Sequence, residues 1–281
     1  MTALPRRRSA LFLPASNPRA VQKARSLPCD VVILDLEDAV APERKREARE
    51  AALAALAQGF GERETVVRVN GADTEWGADD LALLATARVD AVLLPKVGGA
   101  EQLEAARSAL GASGPPLWAM IETARGLMAL PSLAAAAPAV RLEALVAGTN
   151  DLALDLRVRP DPNRTPLLPA LAQIVAAARA GGMTALDGVL NAHDDIERLA
   201  AECAQGAMFG FDGKSLIHPA QIATANAAFG PDDGTVEWAR RVIALFADPA
   251  NASLGAVSLD GAMVERLHLA EARRILALIG E

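Results

Sequence analysis

Eight short apolar runs punctuate this chain, and the stretches between them read as helices. The runs are Ser9–Pro14 (SALFLP), Val31–Leu36, Thr65–Val69, Ala91–Leu94, Leu117–Ile121, Ala144–Ala147, Met183–Leu190 and Ala207–Phe211. Continuous apolar runs of this kind suit strands buried on both faces, the habit of parallel sheets whose crossovers are helices. The segments Pro42–Gln58, Ala100–Leu110, Pro166–Arg179 and Ile196–Ala204 are rich in good helix formers, and the first stops at Gly59. Eight strand–helix units in ~215 residues match a TIM (β/α)8 barrel in number and length. A doubly wound open sheet is the rival, but it usually needs fewer strands, and no Gly-x-Gly-x-x-Gly loop follows any run. After Gly213 no further strand is expected; Pro219–Phe229, Thr235–Phe246 and Ala262–Ile279 read as helices. The expected organisation is a barrel over residues 1–215, then a helical extension over 216–281 packed on the barrel or on a neighbouring subunit.

Composition narrows the function classes. A net charge of −7 argues against a general nucleic-acid binder, which needs a basic surface to release phosphate counterions. No apolar stretch approaches the ~20 residues of a membrane span, and none near the start suits a signal peptide. Two cysteines, Cys29 and Cys203, give no disulfide framework. The expectation is a cytoplasmic protein. Tyrosine is absent altogether, so any proton transfer must use other groups.

In a barrel the reactive groups sit at the C-terminal ends of the strands. Reading along the runs, the polar residues there are Asp35, Glu37 and Asp38, then Arg68 with Asn70, Lys96, Glu122, Asn150 with Asp151, Asp187, and Asp212 with Lys214. Carboxylates ringing a small pocket repel one another unless a cation lies between them, and oxygen-only ligands favour a hard ion such as Mg²⁺. Glu122 and Asp151, on adjacent strands, are the best such pair. Any single strand-end acid can instead cap a helix or join a salt bridge, and Asp38, just before a helix, fits that description. Arg68 lies within an apolar run and needs a partner. It reads as a bidentate clamp on a substrate carboxylate, as a buried ion pair with Glu37 or Asp35, or as both. Lys96 reads as a partner for one of the acids, and Asp187 and Asp212 as structural. His193, at a helix start, His218, before Pro219, and His268, in the last helix, lack zinc-ligand spacing.

Seven motifs in order carry a resemblance. RRSALFLPASNPRAVQKA, VVILDLEDAV followed by PERKREAR, VRVN, LLPK, MIETARG, GTNDLA and GFDGKSLIHPAQI together resemble the citrate lyase β-subunit (citryl-CoA lyase) family of the HpcH/HpaI aldolase superfamily. The resemblance implies a TIM barrel with extra C-terminal helices, assembled as a homotrimer or hexamer, with citrate lyase partner subunits in some members. It places Mg²⁺ on Glu122 and Asp151 and the oxoacid carboxylate on Arg68. It brings Arg19 and Lys23 towards CoA. The Pro-Gly common after the first strand in relatives is Pro14-Ala15 here. Gly261-Ala262-Met263-Val264-Glu265 stands where relatives end the motif in aspartate, an acid/base reaching a neighbouring subunit's site; Glu265 is one methylene longer.

The implied reaction is a Mg²⁺-dependent cleavage of a 3-hydroxy-3-carboxyacyl thioester, such as citryl-CoA or malyl-CoA, on CoA or an acyl carrier. Its products are an oxoacid, oxaloacetate or glyoxylate, and an acyl-thioester, with Glu265 protonating the departing carbon. Two alternatives stay open: a class II aldolase acting on 4-hydroxy-2-oxoacids without CoA, and a non-catalytic oxoacid-binding subunit.

Overall fold

A computed structural model describes residues 6–281, which divide into two compact units, residues 7–226 and residues 227–281, with Arg6 belonging to the second. The sequence reading put the division at 215/216.

The first unit is a closed parallel barrel. Its strands are β1 (Ser9–Pro14), β2 (Val31–Asp35), β3 (Glu64–Arg68), β4 (Ala91–Leu94), β5 (Leu117–Ile121), β6 (Leu142–Ala147), β7 (Thr184–Asp187) and β8 (Gly213–Leu216), paired in chain order, with β8 closing on β1. The principal helices between them are α1 (Pro18–Ala24), α2 (Lys45–Gln58), α3 (Gly77–Leu84), α4 (Ala100–Leu110), α5 (Ala124–Val140), α6 (Thr149–Asp155), α7 (Leu168–Ala180) and α8 (Ile196–Phe209). Alternate residues of each strand point inwards. Ala10, Val31, Ile33, Val66, Leu93, Trp118, Met120, Val146 and Leu186 fill the barrel interior. The same two-residue period carries Asp35, Arg68 and Ser215 to the C-terminal mouth. At the opposite end, buried Arg7 forks onto Glu64 at 2.7 Å through both Nε and Nη2 and lies 4.8 Å over the Trp118 ring.

Two expectations are corrected. The run Ala207–Phe211 is not the eighth strand: its first residues finish α8, which stops at Gly210 in a left-handed conformation (φ 91°). The strand is the polar Gly213–Leu216 (GKSL). Lys214 is fully buried, its ammonium held by Asp187 (3.1 Å) and Glu202 (3.2 Å), so a lysine stands in a strand that an apolar search passes over. Asp212 consequently precedes the strand, away from the mouth, where it binds Arg179 (2.8 Å).

The second correction concerns the tail. Ala262–Ile279 is not one helix. β9 (Ala256–Leu259) and β10 (Ala262–Glu265) form an antiparallel hairpin, and α11 (Arg266–Leu278) starts after it. The turn is Asp260-Gly261, both at positive φ (55° and 84°), the conformation that Asp-Gly favours between hairpin strands. α9 (Ile222–Phe229) crosses the division between the units, and α10 (Asp233–Ala247) opens the second unit's own core of Val242, Phe246, Val264, Leu269 and Ile275.

Candidate active site

A cavity of about 300 Å³ opens at the C-terminal ends of the strands. Phe12 of β1, Asp35 of β2, Arg68 of β3, Met120 of β5 with Glu122 after it, Gly148–Asp151 after β6, Asn191 after β7 and Ser215 of β8 line it. Three of the residues singled out by sequence, Arg68, Glu122 and Asp151, therefore share one space.

Arg68 sits opposite Asp35 in the strand register. Its Nε donates to Asp35 Oδ1 and its Nη2 to Oδ2, both at 2.7 Å. Nη1 lies 2.9 Å from Glu37 Oε2, off the N–H direction, so this contact is an ion pair rather than a hydrogen bond. The guanidinium also stacks 5.0 Å over Phe12. Burial opposes its charge, but Asp35, Glu37 and Asp38 outweigh that and raise its pKa. The two readings of Arg68 thus combine: a buried ion pair aims a guanidinium that still faces the cavity.

Glu122 is 2 % exposed. Its Oε1 accepts from the backbone N–H of Lys96 at 2.6 Å. Its Oε2 accepts no hydrogen bond among the described residues and points towards Gly148, where a Cβ would come within 2.6 Å of it. Burial is the main cause that pushes its pKa up to about 7, with Glu37 adding to it and Lys96 and Arg68 pulling it down. Asp151 stands in the first turn of α6 with its side chain 39 % exposed. Between the acids lies the Lys96 ammonium, in contact with Glu37 Oε1, 3.6 Å from Asp38 and 3.7 Å from Asp151. The buried ammonium of Lys45 pins the β2–α2 loop, donating to the carbonyls of Leu36 (2.8 Å) and Glu37 (2.7 Å) and to Asn70 Oδ1 (2.6 Å).

Sequence reasoning gave no part to Lys45, Phe12 or Met120, and none to the mutual amide pair of Asn150 and Asn191 (3.1 and 3.2 Å) on the rim. Lys45 was hidden in a charged helical repeat. Phe12 and Met120 were hidden because inward apolar residues look like core. Asp38 does not cap a helix, but the other half of its reading holds: exposed on the cavity rim, it forms ion pairs with Lys96 (3.6 Å) and Arg68 (3.8 Å).

The donor set suits a hard cation. Among the described residues no group of three His, Cys, Asp or Glu gathers as a complete ligand cage. Two carboxylates facing an open cavity match an ion that takes one or two protein oxygens and fills the rest of its sphere with water or substrate.

The other sequence candidates lie elsewhere. Arg19 and Lys23 occupy the exposed face of α1, one helical turn apart, and neither lines the cavity. Glu265 belongs to the second unit, half-buried at the end of β10, its backbone N–H donating to His268 Nδ1 at 2.9 Å. Asp187 points away from the cavity into an ionic network with Arg164 (2.7 Å) and Lys214. His193 lies in the turn before α8 rather than starting a helix and stacks on His218 at 4.6 Å.

Comparison with known proteins follows the same lines. The sequence profile described as HpcH/HpaI aldolase/citrate lyase matches residues 8–219. The chain is 47% identical over 271 residues to a (3S)-malyl-CoA thioesterase of Cereibacter sphaeroides (strain KD131 / KCTC 12085), covering 96% of this chain and 93% of that one. It is 35% identical over 283 residues to the citrate lyase subunit beta of Escherichia coli (strain K12), covering 96% and 92%. Among solved structures, CitE from Mycobacterium tuberculosis in complex with magnesium, acetoacetate and coenzyme A superposes with a TM-score of 0.78 at 33% identity, over 97% of this chain and 98% of that one.

Proposed function

The chain belongs to the HpcH/HpaI aldolase/citrate lyase family, and on that footing we propose that it is a Mg²⁺-dependent carbon–carbon lyase of 3-hydroxy-3-carboxyacyl-CoA thioesters of the malyl-CoA type. The observation that carries the reading is one cavity lined by a fixed guanidinium, Arg68, and two carboxylates, Glu122 and Asp151. Glu122 and Asp151 would hold the ion. When bound there, Mg²⁺ supplies a hard Lewis acid for the oxygens of a 2-hydroxy acid group. Arg68, aimed by Asp35, holds the substrate carboxylate and fixes which carbon bears the breaking bond. A cavity carboxylate or a water takes the hydroxyl proton, the C3 oxygen becomes the carbonyl of the oxoacid as the C2–C3 bond breaks, and that bond's electron pair passes to the thioester α-carbon, which takes a proton. We assign that last proton to Glu265 of a neighbouring copy in a homotrimer or hexamer, with Arg19 and Lys23 near the CoA and the whole reaction in the cytoplasm. The products are glyoxylate and an acyl-CoA, or oxaloacetate when citryl-CoA is the substrate.

A second reading rests on the 47% identity to a (3S)-malyl-CoA thioesterase: the same substrate, hydrolysed at the thioester to malate and free CoA. One experiment separates the two. The purified protein is incubated with malyl-, citryl-, methylmalyl- and citramalyl-CoA and with a free 4-hydroxy-2-oxoacid, with and without Mg²⁺, the products are resolved by chromatography, and oxoacid binding is measured by calorimetry. Acyl-CoA with an oxoacid supports the lyase; free CoA with the hydroxy acid supports hydrolysis. Cleavage of free 4-hydroxy-2-oxoacids in place of the CoA esters overturns both in favour of an aldolase. Oxoacid binding without turnover of any substrate leaves a non-catalytic subunit.

A further inference from the structure

Lys96 touches both expected metal ligands with opposite ends of the same residue. It follows β4 after Pro95 and stands in the left-handed region (φ 50°), which a side-chain-bearing residue adopts only under strain. That conformation turns its backbone N–H onto Glu122 Oε1 at 2.6 Å. Its side chain meanwhile places the ammonium against Glu37, 3.6 Å from Asp38 and 3.7 Å from Asp151. Four carboxylates thus surround one lysine, and Arg68 is already engaged by Asp35 and Glu37. An ammonium carries one positive charge and three donors but no vacant orbital. It balances clustered acids as a metal would, without a metal's Lewis acidity.

We propose that Lys96 is a resident counter-cation of the cavity: its ammonium keeps Glu37, Asp38 and Asp151 assembled before a divalent ion arrives, and it then competes with that ion for Asp151, the one expected ligand it shares. Lys96 is a positioning residue that sets the affinity of the site for divalent ions. The inference rests on the reading that Glu122 and Asp151 hold Mg²⁺. It carries a sign that a merely structural role would not produce. Removing the ammonium leaves the acids less balanced in the metal-free protein and more attractive to a dication, so Mg²⁺ binds more tightly although the metal-free protein is less stable.

The test is titration calorimetry of Mg²⁺ into the full-length wild type, Lys96→Met, Lys96→Gln, Lys96→Arg and Glu122→Ala, with melting temperatures taken in EDTA. Lys96→Met is expected to bind Mg²⁺ roughly fivefold tighter or more, by the loss of one positive charge within a few ångströms of the ion. It should melt lower in EDTA and gain more than the wild type on addition of Mg²⁺. Lys96→Gln makes the same neutralisation with a polar end and serves where the methionine variant does not fold. Lys96→Arg keeps the charge and stays close to the wild-type affinity. Unchanged or weaker Mg²⁺ binding in both neutral variants, while Glu122→Ala abolishes binding, overturns the proposal alone. Wild-type binding in Glu122→Ala overturns the metal assignment on which it stands.

Discussion

At the scale of single residues, the most consequential is Glu122, a carboxyl with one hydrogen bond in an almost fully enclosed position. Its folded pKa, about 7, stands above the ordinary value of 4.5. Between those values the folded protein keeps a proton that the unfolded chain has released, so stability falls as pH rises through that window. Glu122→Gln removes the cost of ionising the buried group while keeping an oxygen for the Lys96 N–H. In EDTA the variant is expected to gain on the wild type as pH rises from about 5 to about 8, by an amount of order 3 kcal/mol. Denaturant melts across that range check it, and parallel pH dependences refute it. Arg68 and Glu122 were legible in the sequence because each is a charged residue at the end of an apolar run. The lysines were less legible. Lys96 read correctly as a partner for one acid, but its contact with four shows only once the chain after β2, β5 and β6 closes around it, and Lys45 shows its part once its helix turns one charged face inwards.

At the scale of elements, a search for apolar runs recovers seven of the eight barrel strands. It fails at β8 for a physical reason: this strand satisfies burial by ion pairing rather than by greasiness. Lys214, fully enclosed, is neutralised by Asp187 and Glu202, which also meet Arg164 and Arg198. Charges take apolar places where each has a partner within reach. Lys214→Met would strand part of this network, and a loss of about 3–5 kcal/mol is expected in urea melts. A loss below about 1 kcal/mol would mean that water or a neighbour replaces the ammonium. The tail hairpin failed differently. Asp260-Gly261 between AVSL and AMVE is a turn signal of the standard kind, but the helix formers that follow drew the whole stretch into one helix. Glu265 consequently ends a strand instead of riding within a helix.

At the scale of the molecule, each unit has apolar packing of its own among the described residues, the barrel interior in one and the smaller cluster around Phe246 and Leu269 in the other. Phe246→Ala is expected to cost about 3–5 kcal/mol locally. Hydrogen exchange should show protection lost first over α10 and α11, with the barrel strands retaining theirs; uniform loss would mean that the two cores unfold as one. The sequence disclosed the barrel because repetition is a property of the whole chain. It did not disclose the second core, whose partners lie scattered through the tail. One feature at the foot of the barrel bears on the order of events above it. Arg7 and Glu64, clasped beneath Trp118, stopper the lower end. A long-tailed ligand must therefore enter head first from the top, with its carrier trailing outside. On the proposed lyase reaction, the fragment tethered to the carrier is then expected to withdraw first and the small acid below it last, and product-inhibition kinetics check that order.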